Sequence, residues 1–188
     1  MSGLPRSANC GLTGSQLQFS NTLRRLWIEH VLWTRFFIVS TAFSLPDLND
    51  VTQRLLRNPK DFANALHPFY GSQTAARFEK LFTDHLLIAA DLVNAAKAGN
   101  SAEVEKQRKK WYANAESIAR FLTCINPCWN EKCWRSMLFD HLRMTENEAV
   151  QILSGQYERS IAQYDDIQAQ ALQMADIMTC GIIRQCGI

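Results

Sequence analysis

Glycine is scarce in this chain, eight in 188 residues, and none stands in a G-x-G-x-x-G, P-loop or G-x-S-x-G arrangement. Without those turns the backbone cradles of dinucleotide and phosphate sites and the nucleophile elbow of serine hydrolases are excluded. No stretch alternates apolar and polar residues as a half-buried strand does, and no segment is of low complexity. A long apolar run is missing too. The most apolar stretch, Val31 to Leu45, is too short to span a bilayer and carries Arg35. Met1 to Ser15 lacks an apolar signal core, so a cytoplasmic protein with no membrane partner is expected.

Charge of one sign is also lacking, with 20 Lys and Arg against 18 Asp and Glu and a net charge of +2. The densest basic group, Lys106 to Lys110, interleaves with Glu103 and Glu105 and reads as a solvated helix face, so no nucleic-acid partner is expected. The six cysteines are spaced C-x3-C-x4-C (Cys124, Cys128, Cys133) and C-x5-C (Cys180, Cys186), with Cys10 apart. None forms the C-x2-C pair of a zinc ribbon, and free thiols are the expectation in a reducing compartment.

What is present is helix. Apolar residues make up 47% of the chain, enough for the core of one domain. Residues 1–15 read as a flexible leader and 16–188 as a single helical-bundle domain. Apolar positions at steps of three and four predict long helices over 16–43, 72–98 and 101–123, and a fourth from a T-x-x-E cap at Thr145 and Glu148 to about Cys180. Short helices are expected over 50–57, 59–66 and 131–142, broken at Asn58-Pro59 and near His67-Pro68-Gly71. The expected fold is all-α: an antiparallel four-helix bundle, ferritin-like in broad architecture, with short connecting helices. Its up-down course would place Cys10, Cys180 and Cys186 at one end and Cys124 to Cys133 at the other.

Three of the four histidines follow an acid and precede an aliphatic residue: Glu29-His30-Val31, Asp84-His85-Leu86 and Asp140-His141-Leu142, about 55 residues apart. Chance would give roughly one such pair at this acid content. His30 and His85 fall on the apolar stripes of the first two long helices, and Asp165 falls on the stripe read for the last one, Tyr157-Ile161-Asp165-Gln168-Leu172. Two imidazoles and a carboxylate in one layer form a transition-metal donor set, for Fe, Zn, Mn or Cu. His141, Gln168 and Asn114 are secondary ligand candidates. Glu29, Asp84 and Asp91 are candidates for orienting the rings, and Arg35 for pairing with a nearby carboxylate. The Glu-x-x-His of di-iron bundles is absent, since Trp27, Phe82 and Leu138 stand three residues before the histidines. The alternatives are a non-catalytic interaction bundle whose histidines form a structural hydrogen-bond network, and a bundle holding a small ligand or haem. A bundle of this kind can pair into a homodimer.

The stretches LWIEHVLWTRFFIVS, LLRNPKDFANALHPFYG, LVNAAKAG, KWYANAESIARFLTCINP and LSGQYERSIAQYDDIQAQALQMADIM resemble a family of small bacterial all-helical proteins without established function. Some of its members are labelled acetylglutamate kinase. The resemblance implies a helical fold and no activity, because an amino-acid kinase needs an α/β sheet with glycine-rich phosphate loops.

Overall fold

The structure, a computed structural model, describes residues 12–188; Cys10 and most of the expected leader lie outside the described residues. It is all-helical over that range, with five helices: α1 (Gly14–Phe43), α2 (Leu48–Lys97), α3 (Ser101–Ile125), α4 (Glu131–Leu153) and α5 (Tyr157–Cys186). Among the described residues no helix is long and apolar enough to cross a membrane.

Gly71, at φ 76° and ψ 170°, interrupts α2 in a backbone region that only glycine enters cheaply. The two arms it joins, 48–70 and 72–97, run back along each other: Phe62 meets both Phe78 and Phe82, with ring centroids 5.9 and 5.2 Å apart. The bundle therefore contains six antiparallel rods, where the sequence pattern suggested four long helices with short links. Arg24 to Asp176 and Arg35 to Ser160 set α1 against α5, and Arg108 to Glu146 sets α3 against α4.

Two sequence expectations fail for identifiable reasons. Asn58-Pro59 and His67-Pro68 lie inside α2, with His67 exposed on the helix. The reversal they seemed to mark is made by Gly71 alone. Thr145 and Glu148 cap nothing: both are buried in the middle of α4. The break falls ten residues later, at Gly155 (φ 75°).

That later break changes the face α5 buries. Its inner line is Ser160, Ile167, Ala171, Met174, Met178 and Ile182, while Tyr157, Ile161, Asp165 and Gln168 face outward. The rod count also moves the cysteines. Gln185 donates to the Ile125 carbonyl at 2.9 Å, and Trp129 donates to the Ile177 carbonyl at 3.2 Å. Cys124, Cys128, Cys133, Cys180 and Cys186 thus share one end of the bundle, all exposed and free.

The six rods form three hairpins: residues 14–70, 72–125 and 131–186. Each turns through a left-handed residue fourteen positions after its histidine, namely Ser44, Gly99 and Gly155. The 55- and 56-residue steps between His30, His85 and His141 are the period of this unit. Its second helix repeats too: Phe62-Ala63, Ile118-Ala119 and Met174-Ala175 are equivalent and all buried.

Candidate functional site

The histidines meet where the three hairpins converge. His30, His85 and His141 are 2%, 2% and 3% exposed. The His30 ring centroid lies 5.6 Å from His141 and 6.4 Å from His85. Phe82 stacks between two of them, 4.8 Å from His30 and 6.0 Å from His85.

Each histidine is matched to one carboxamide on the second helix of its own hairpin. Asn114 Oδ1 accepts from His85 Nδ1 at 2.9 Å, and Asn114 Nδ2 donates to the Leu81 carbonyl at 3.0 Å. That second bond turns Asn114 Oδ1 toward the ring. Trp111 Nε1, which can only donate, reaches His85 Nε2 at 3.2 Å. The two together assign His85 as the neutral tautomer with its proton on Nδ1.

The other hairpins repeat the arrangement. Asn58 Nδ2 donates to the Leu26 carbonyl and Gln170 Nε2 to the Met137 carbonyl, each at 3.0 Å. In all three cases the acceptor stands four residues before the histidine, where the helix carries it on the same face. Among the described residues the oxygens of Asn58 and Gln170 and the Nδ1 atoms of His30 and His141 have no hydrogen-bond partner, so these two amides stop short of the contact Asn114 makes.

Burial sets the protonation state of the cluster. It holds His85 down at about 3 and His141 at about 4, in each case against the neighbouring amide, Asn114 or Gln170. It also drives His30 well below its ordinary value; the His141 and His85 charges add to this and Asn58 opposes it. Three rings so close cannot share much charge, and all three are neutral near pH 7.

Two turns beyond His141, Glu148 accepts from Arg35 Nη1, which also donates to the Ser160 carbonyl at 3.1 Å. The Arg35 guanidinium lies 5.3 Å from the Tyr164 ring. Burial raises the Glu148 carboxyl to about 7, and Arg35 offsets only part of that.

The remaining sequence candidates separate. Asp165 and Gln168 are exposed on α5 and do not face the histidines, which corrects the reading that made Asp165 the third ligand. Glu29 pairs with Arg54 at 2.9 Å and Asp84 with Lys80 at 2.9 Å, both turned off the core, and Asp91 is exposed. Asn114 is at the cluster, as partner to His85. Among the described residues no three His, Cys, Asp or Glu side chains come together in a way that could hold a metal ion. One turn from the rings, an apolar cavity of about 20 Å³ lies between Thr34, Leu55, Trp111 and Thr145. That is room for about one water, so a haem would have to displace packed core.

Sequence reasoning missed Asn58, Gln170, Trp111 and Glu148. For the amides a signal existed: positions 58, 114 and 170 follow the histidines by 28, 29 and 29 residues. Comparison with protein-family models, with curated proteins and with solved structures finds no match.

Proposed function

We propose that the chain is a non-catalytic interaction bundle that pairs with a second copy of itself, its histidines acting as neutral polar ties at the meeting point of three hairpins. The observation that carries this reading is His85, whose two ring nitrogens are both engaged, by Asn114 and Trp111. No atom of it remains for a substrate, a proton relay or a metal.

An apolar patch supports the pairing. Phe36 and Phe43 are 44% and 48% exposed two turns apart on α1. Tyr157 and Ile161, 52% and 56% exposed, stand one turn apart on the neighbouring stretch of α5. Phe43 and Tyr157 have ring centroids 6.0 Å apart, and Arg35 to Ser160 joins the two helices between them. Exposed apolar clusters of this kind mark association surfaces. Membership of the bacterial helical family and a cytoplasmic setting belong to the same proposal.

Sedimentation of the tag-free protein tests the pairing. A dimer that dissociates in a Phe43→Ser, Ile161→Ser variant is expected; a monomer at all concentrations would overturn the reading. A His30→Gln, His85→Gln variant should lose stability and keep its mass.

A second reading is a transition metal (Fe, Zn, Mn or Cu) held between His30 and His141. Their unpartnered Nδ1 atoms and 5.6 Å ring separation favour it. Elemental analysis decides: stoichiometric metal, with thermal stability lost in chelator, would replace the first reading.

A further inference from the structure

The groove between the second arm of α2 and α3 differs from its counterpart in the first hairpin. It is about 770 Å³ in volume, within the range of small-ligand sites. Arg77 and Arg120 stand on its two walls, Ser117 and Thr74 add hydroxyls, and Leu81 and Phe121 supply an apolar surface. Among the described residues no carboxylate lines it. The Arg77 guanidinium lies 5.3 Å from the Phe121 ring centroid, and Arg120 Nη2 is 3.5 Å from the Ser117 hydroxyl. Among the described residues neither arginine has a carboxylate partner.

The repeat supplies an internal control. Eight residues before each histidine stand Thr22, Arg77 and Cys133; six after each carboxamide stand Asn64, Arg120 and Asp176. The same hairpin is thus built twice without arginine at either place. In the first hairpin the corresponding groove includes Glu29 and Asp61, and Asp61 pairs with Arg57 at 3.0 Å. In the third, Asp176 binds Arg24 of α1 at 2.6 Å. Packing does not call for the two cations of the middle hairpin, and nothing in the groove neutralises them.

We infer that this groove binds a small organic anion, its phosphate or carboxylate head between Arg77 and Arg120 and its apolar body on Leu81 and Phe121. Guanidinium forks match planar or tetrahedral oxyanions through paired hydrogen bonds. The flanking aromatic surface would favour a ligand with a ring or chain over a bare ion. This site is separate from the histidine cluster and from the apolar patch, so it stands or falls independently of the pairing.

Titration of the full chain with phenyl phosphate, benzoate and inorganic phosphate, followed by amide chemical shifts, tests it. Phenyl phosphate or benzoate should bind more tightly than inorganic phosphate, with shifts centred on residues 73–81 and 117–125; which of the two is tighter names the head group. Arg77→Gln and Arg120→Gln should each weaken binding about tenfold or more, the loss expected for one charge-assisted contact. Arg25→Gln, in the first hairpin's groove, should leave it unchanged. Both arginines are exposed, so the variants should retain the parent's helicity and melting temperature. Binding that is indifferent to either arginine, or shifts centred elsewhere, would overturn the assignment, as would no saturable binding of either organic probe.

Discussion

At the scale of the residue, the polar core trades acid stability for position. The rings carry no charge to bury at pH 7, but the unfolded chain can protonate them near 6.5 while the folded chain cannot until about 4 for His141 and about 3 for His85. Protons therefore bind the unfolded state preferentially below 6.5, and stability falls as pH falls through that window. Glu148 has the opposite sign. It keeps its proton up to about 7 when folded and gives it up near 4.5 when unfolded, so it adds stability as pH falls from 7 to 4.5. Three histidines outweigh one glutamate, and net stability should decline below about 6.5. Urea midpoints at pH 7.5, 6 and 5 should show that decline, steeper in a Glu148→Gln variant, which loses the opposing contribution. Proton NMR of the rings gives the direct check, since any of the three titrating above pH 6 in the folded protein would refute the neutral cluster.

At the scale of the element, the hairpin explains both what could be read and what could not. Periodicity placed His30 and His85 correctly because α1 and the second arm of α2 bury one unbroken stripe each. It failed on α5 because Tyr157 and Ile161 are apolar yet exposed, and extending their line inward carried Asp165 with it. The T-x-x-E pattern misled for a related reason: Thr145 and Glu148 are polar residues on a core face, and a cap was the cheapest local account of them. The two accounts differ in a measurable way. The Thr145 hydroxyl is buried without a partner beside the apolar cavity. Thr145→Val should therefore be neutral or stabilising, whereas loss of a helix cap would cost about 1 kcal/mol. Gly155→Ala should show the reverse, costing about 1 kcal/mol for a side chain at φ 75°. Thermal unfolding of the two variants checks both. The carboxamides were illegible singly, because Asn58 before a proline reads as a breaker and Gln170 as surface; only the common spacing from the histidines links them.

At the scale of the whole molecule, the three hairpins share one core and are not three small domains. His30 of the first hairpin stacks on Phe82 of the second and approaches His141 of the third. The larger of two clusters of buried residues runs from Leu23 through Trp111 and Trp134 to Ile182, and the smaller, from Phe37 through Leu86 to Ile152, also draws on all three hairpins. An isolated hairpin would expose that apolar face together with its histidine ring, so none should persist once a neighbour has opened. Equilibrium unfolding in urea should accordingly be one transition. Tryptophans report on every hairpin, with Trp27 in the first, Trp111 in the second and Trp129 and Trp134 next to or in the third, all buried. Their fluorescence should therefore change with the same midpoint and slope as far-UV circular dichroism. Asn114→Ala should shift both curves together, because it frees His85, whose ring packs against Phe82 and near His30 where the hairpins meet. If fluorescence and dichroism separated in that variant, the hairpins would be folding units joined by contact, and the repeat would be modular after all.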